Sequence, residues 1–144
     1  MLEEGIEILL TKDSGVSALL GTNRGDGTNG LFANISVKQP TYPYIVYEKL
    51  SAESNETLEG LNKFQIARFR FKCYAADYPT AVKLAHKVRL ALGGFAGTLQ
   101  DSDATPLGNA NPIFEADLPP EAALRATTWG RVIDFEFCFA DTAA

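Results

Sequence analysis

Apolar and polar side chains alternate most cleanly at two places. In "NKFQIARFRFKCYAADYP" (62–79), Phe69, Phe71, Cys73 and Ala75 alternate with Arg68, Arg70, Lys72 and Tyr74. That two-residue period predicts a strand with one core face and one basic stripe. In "WGRVIDFEFCFAD" (129–141), Trp129, Ile133, Phe135, Phe137 and Phe139 alternate with Val132, Asp134, Glu136 and Cys138. Large side chains worth about 1.5–3 kcal/mol each on full burial place this strand at the centre of the core. Asp134 and Glu136 are the candidate partners of the basic stripe. This makes the stripe a solvated or interface face before it is a polyanion groove.

A helical period appears at three other places. Leu2, Ile6, Leu9 and Leu10 share a face over 2–12. Glu3, Glu4 and Glu7 lie near its start, where the helix dipole favours negative charge. Asp13 or Ser14 can cap a short second helix carrying Val16, Leu19 and Leu20, closed by Gly21. Asp77-Tyr78-Pro79-Thr80 opens the longest helix, with Ala81, Leu84, Ala85, Val88, Ala91 and Leu92 on one face and Gly93-Gly94 as its stop. Proline is tolerated in a first turn because its missing N–H would have had no partner there. His86, the only histidine, falls among the polar positions of this helix.

The remaining segments are shorter. "LFANISV" (31–37) reads as a strand, Pro40 and Pro43 bracket a turn, and Tyr44–Leu50 continues extended with Pro43 at its start. Tyr44, Val46 and Glu48 alternate with Ile45, Tyr47 and Lys49, so both faces begin apolar and end charged. Tyr42, Tyr44 and Tyr47 therefore do not share a face, which argues against an aromatic platform. "TNRGDGTNG" (22–30) and "SDATPLGNANP" (102–112) read as loops by their turn formers. "FAGTLQD" (95–101) reads as a short strand and "IFEADLP" (113–119) as extended. After the break at Pro119-Pro120, "EAALRATT" reads as a turn of helix or an irregular strand. The closing "DTAA" reads as a frayed end. Long alternating strands with helices between them predict an α+β fold. The expectation is a single domain over 1–144: a mixed, mainly antiparallel sheet with helices packed on one face.

Composition narrows the function. The chain has 144 residues, 46% hydrophobic and 22% charged, which is a globular balance. A net charge of -5 argues against non-specific nucleic-acid binding, which needs clustered Lys and Arg. Two cysteines, Cys73 and Cys138, with one histidine do not make a zinc site. Both cysteines read as buried reduced thiols in strands, with a disulfide open if those strands are neighbours. Arg24-Gly25-Asp26 is a chance tripeptide match, Asp26-x-Thr28-x-Gly30 lacks the further acids of a calcium loop, and no Gly-Lys-Ser/Thr follows to make a phosphate loop. No catalytic spacing, metal set or cofactor motif emerges. The acidic "MLEEGIEILL" lacks the basic start of a signal peptide, and no apolar run suits a membrane span. Synthesis in the cytoplasm is the expectation.

The N-terminal helix with "VSALLG", the Gly-rich loop, "PYIVYEKLS", "RFRFKCYAADYPTAVKLAHKVRLAL" and "RVIDFEFCF", in that order, resemble the tail completion proteins of long-tailed bacteriophages, the tail-terminator or tail-to-head joining family. Only 101–128 follows no shared pattern. The resemblance implies a structural protein of the virion, made in the bacterial host. It implies a ring, usually hexameric, of subunits that can be monomeric in solution. The implied partners are the chain itself, the major tail tube protein and the head-tail connector, with no sequence-specific nucleic acid and no membrane. Two alternatives remain: another neck or tail part, such as a head-closure or tail-tube subunit, and a small-molecule-binding α+β domain. Candidate contacts with neighbouring subunits or the tube are Arg24 and Asp26 in the first loop, Arg68, Arg70 and Lys72 on the stripe, and Asp101, Asp103, Asn109 and Asn111 in and beside the second loop. Shortening 102–112 should leave the monomer folded, since it holds no expected core residue, and Arg70→Ala should cost the monomer little.

Overall fold

The computed structural model describes residues 2–20, 30–33, 43–57, 60–100, 104–118 and 129–140. Along the chain run α1 (Leu2–Lys12), α2 (Ser14–Leu20), β1 (Leu31–Ala33), β2 (Tyr44–Thr57), β3 (Gly60–Ala75), α3 (Tyr78–Leu92), β4 (Gly97–Thr98), β5 (Pro106–Leu118) and β6 (Trp129–Ala140). This is the order of elements that the periodicity predicts. The strands form one six-stranded sheet in the order β1-β2-β3-β6-β5-β4. Strands β2 to β6 pair antiparallel, and β1 runs parallel to β2 through Leu31–Ala33. The fold is α+β, with the helices gathered on one face of the sheet.

That face follows from the alternation. Phe69, Phe71 and Cys73 of β3 join Ile133, Phe135, Phe137 and Phe139 of β6 in one buried cluster with Ile6 and Leu10 of α1, Val16 and Leu20 of α2, and Leu84, Ala85, Val88 and Leu92 of α3. Phe69 meets Phe137 edge-on at 5.6 Å between ring centroids, and Phe71 meets Phe135 at 5.9 Å. Such edge-to-face pairs add about 0.5–1.5 kcal/mol beyond their burial. The backbone N–H of Val16 donates to Asp13 Oδ2 at 2.9 Å, so Asp13 is the residue that caps α2. At the end of α3, Gly94 takes a positive φ of 74° and its N–H donates to Ala110 O at 2.9 Å, which ties the helix to β5. Gly5 of α1 lies so close to Leu99 that a Cβ there would sit 2.8 Å from Leu99 Cβ.

β2 behaves as a strand buried on both sides at its start. Ile45 and Tyr47 enter the main core, while Tyr44 and Val46 pack with Tyr74 and Leu118 on the opposite face. Tyr47 Oη donates to Glu7 Oε1 at 2.6 Å, which pins α1 to the sheet.

Four expectations need correction. Residues 106–112 are not loop: β5 begins at Pro106, and Leu107 and Ala110 are buried core. The reason is two irregularities in the pairing of β5 with β6, between Leu107 and Asn109 and between Pro112 and Phe114. Each extra residue flips the side-chain parity, so the two-residue period never shows in the sequence. The strand expected over 95–101 contracts to Gly97–Thr98, and β2 extends past Leu50 to Thr57. Trp129 is 41% exposed, so it does not join the phenylalanines in the core.

Candidate assembly surface

The sheet face turned away from the helices is organised in cross-strand rows. Taken across β2, β3, β6 and β5, the first row is Tyr44, Tyr74, Gly130 and Leu118. The next rows are Val46, Lys72, Val132, Ala116, and then Glu48, Arg70, Asp134, Phe114. Ser51, Arg68, Glu136 and Asn111 follow, and beyond them Ile66, Cys138 and Asn109. The face thus passes from an apolar end to a charged middle and a mixed far end.

In the charged middle each cation meets an acid. Arg70 grips Asp134 with two parallel bonds, Nε to Oδ1 at 2.9 Å and Nη2 to Oδ2 at 3.0 Å. The Asp134 side chain is only 8% exposed. The hydrogen bonds to Asp134 hold the Arg70 guanidinium more firmly protonated than usual. Arg68 Nε reaches Glu136 Oε2 at 3.2 Å, and Lys72 Nζ lies 3.5 Å from Glu48 Oε1. Opposite charges directly across an antiparallel pair stabilise it, whereas like charges would repel. With its three cations answered by three acids, the stripe has no surplus positive charge to hold a polyanion.

Apolar exposure is shared between α3, where Leu90 is 62% exposed, and the sheet margins. The β2 pairing shifts between Lys49 and Ser51, and the β5 pairing between Pro112 and Phe114. Leu50 and Ile113 are the extra residues, and both are exposed, at 43% and 49%. The two irregularities stand at one level, because Lys49 pairs with Phe69, Phe69 with Phe135, and Phe135 with Pro112. Phe114, next to Ile113, is 52% exposed. Among the described residues, β1 covers the outer edge of β2 only at Ile45–Tyr47, and β4 covers β5 only at Pro106–Leu107.

A separate cluster lies near the start of α3. Arg131 Nη1 donates to Asp117 Oδ1 at 2.6 Å and Nη2 to Glu115 Oε2 at 2.7 Å. Tyr78 Oη donates to Asp117 Oδ2 at 2.9 Å, and the Tyr78 ring meets Trp129 at 5.9 Å. The hydrogen bond to Asp117 raises the Tyr78 hydroxyl pKa above its ordinary value. A groove of about 240 Å³ beside α1 is lined by Ile8, Leu9, Phe95 and Leu99, with Lys12 and Gln100 joined at 3.3 Å on its rim. It is smaller than the roughly 300–1,000 Å³ of ordinary ligand pockets. Among the described residues no group of His, Cys, Asp and Glu is placed to hold a metal ion. No helix among them is long and apolar enough to cross a membrane.

Of the residues singled out in the sequence, Arg68, Arg70, Lys72, Asn109 and Asn111 come together on the face away from the helices. Asn109 and Asn111 stand there as exposed members of a strand and not of a loop. Arg24, Asp26, Asp101 and Asp103 lie outside the described residues. Leu50, Ile113, Phe114 and the Arg131 cluster were not legible, because their placement depends on the two shifted registers. Cys73 is buried on the helix side opposite Arg131, whereas Cys138 is half-buried on the other face opposite Ile66, so they cannot pair.

No protein-family model and no curated protein matches the sequence. Among solved structures, the fold is similar to a chain from the virion of a native gene transfer agent particle. The TM-score is 0.71 at 16% sequence identity, and the match covers 94% of this chain and 91% of that one. At that identity the shared property is the fold, carried from end to end of both chains.

Proposed function

We propose that the chain is a structural subunit of a phage-like virion. In this reading it caps the head-proximal end of the tail tube as a ring, by resemblance a hexamer. It ends tube growth and joins the tail to the head connector. The observation that carries the reading is the near full-length likeness to a chain of a gene transfer agent virion. It stands beside an independent resemblance of "PYIVYEKLS", "YAADYPTAVKLAHKVRLAL" and "RVIDFEFCF" to tail-terminator proteins. The charge pattern fits this role. A chain of net charge -5 whose basic stripe is internally neutralised offers passing DNA little to adhere to.

Deletion and complementation in the particle-producing host test this reading. Without the chain, electron microscopy should show heads separate from tails of uncontrolled length, and supplying it should restore joined particles. Normal tails that fail only to hold DNA-filled heads would assign the chain to head closure. An absence of tails would assign it to the tube. Unaltered particles would remove it from the virion.

A further inference from the structure

We infer that the outer face of α3 is a docking surface for a protein other than this chain, one that presents Asp and Glu side chains around an apolar residue. Lys83, His86, Lys87 and Leu90 stand at i, i+3, i+4 and i+7, so they form one stripe along the helix, opposite the side that packs on the sheet. Arg89 flanks the stripe and is exposed. Lys83, His86 and Leu90 are exposed as well, and Lys87 is half-buried. The stem of Lys87 lies against α2, where a Cβ on Gly15 would sit 3.1 Å from Lys87 Cδ. No acid occurs in the 15 residues of α3.

Charge sets this face apart. On the sheet, Lys49 meets Glu3, Arg68 meets Glu136, Arg70 meets Asp134, Lys72 meets Glu48, and Arg131 meets Glu115 and Asp117. Among the described residues, no carboxylate pairs with Lys83, Lys87 or Arg89. Asp13, beside Gly15, accepts from the N–H of Val16. The helix dipole accounts for Arg89 in the last turn, but not for Lys83 or Lys87. A chain of net charge -5 thus gathers unanswered positive charge on one helix.

Those cations select an anionic occupant, and Leu90 selects among anions. A phosphate backbone makes its contacts with Lys and Arg and gains nothing from a leucine, and the net charge repels it at a distance. A protein surface uses both, with an apolar anchor sealed by charged groups around it. A second copy of this chain is a poor source of free acids, because its described sheet carboxylates are already paired. From Lys83 to Leu90 the stripe spans about 10 Å at about 1.5 Å per residue, so the contact is weak by itself and sensitive to salt. The inference stands without the virion reading. Where that reading holds, the partner is another component of the particle.

A zero-length cross-linker tests it. A carbodiimide joins a lysine amine to a carboxylate only where the two touch. In particles that contain the chain, it should link Lys83 or Lys87 to an Asp or Glu of a different protein, read by mass spectrometry of the joined peptides. Links to a second copy of this chain would overturn the proposal. So would lysines that take an amine-reactive tag as fast in particles as on the free chain, or lysines shielded only until nuclease treatment. Absence of the chain from particles would sink the virion reading, and the face is then decided on the purified chain. There the probes are a helical peptide with Glu and Leu on one face, and duplex DNA of random sequence. The peptide should bind more tightly than the duplex, and about tenfold more weakly once K83E and K87E are combined. L90Q should also weaken it, whereas K83R with K87R should not. All these variants change exposed or half-buried positions and should melt like the unaltered chain. Duplex binding as tight as peptide binding, indifference to L90Q, or no binding of the peptide would each overturn the proposal.

Discussion

Single residues separate burial from charge. Phe135 is fully buried between Phe71 and Phe137, so Phe135→Ala should cost about 3–5 kcal/mol in urea melts. Arg68→Ala should cost less than about 1 kcal/mol, since its pair with Glu136 is open to water. Arg70→Ala departs from what the alternation alone suggests. It removes the two-bond partner of a carboxylate that is nearly out of water, at a cost of about 1.5–3 kcal/mol. Equal midpoints for the two arginine variants would show that Asp134 is better solvated than its position implies. Alkaline pH provides another measurement. Burial raises the Cys73 thiol pKa, and burial with the bond to Glu7 raises the Tyr47 hydroxyl pKa, both relative to the unfolded chain. The unfolded chain loses these protons first, so stability is whole below the unfolded values and falls as pH climbs past about 8.5 for Cys and about 10 for Tyr. Cys73→Ala should remove the earlier part of that decline, and Tyr47→Phe the later part.

At the scale of elements, legibility followed regular periods. α3 was readable from Ala81 to Leu92 because nothing interrupts its 3.6-residue spacing, and β3 and β6 because they pair without a shift over their whole shared length. Asp134 and Glu136 were readable as partners of the basic stripe for the same reason, and the register then assigns Arg70 to Asp134 and Arg68 to Glu136. β5 was not. Its Pro, Gly and Asn residues favour turns, and its two shifts hide the alternation, so only partnership with β6 makes it a strand. Removing 102–112 would take out Leu107 and Ala110 and unfold the chain. Leu107→Ala alone should cost about 2–5 kcal/mol by thermal or urea melts, where a loop residue would cost almost nothing. α1 provides a test of sign. Gly5→Ala would gain about 1 kcal/mol of helix propensity in isolation. The new methyl would press on the base of the Leu99 side chain, which cannot swing away, and such overpacking costs about 1–3 kcal/mol. The expected outcome is a lower melting temperature. A higher one would mean that α1 can slide on its bed.

For the whole molecule, the sequence yielded the helix order and the sheet class, while the exposed apolar margins arose only from folding. Exposed aliphatic residues next to shifted registers have no signature in composition or spacing. The placement of the two cysteines on opposite faces makes the unmodified protein its own reporter. A thiol reagent should tag Cys138 on the folded chain and reach Cys73 only when the sheet parts from its helices, so the labelling kinetics have a fast and a slow phase. The slow phase times global opening. The fast phase reads occupancy of the helix-free face, and any partner that settles there should protect Cys138 while leaving the slow phase in place. Mass spectrometry of tagged peptides would then tell whether this face is covered by a partner or open to solvent.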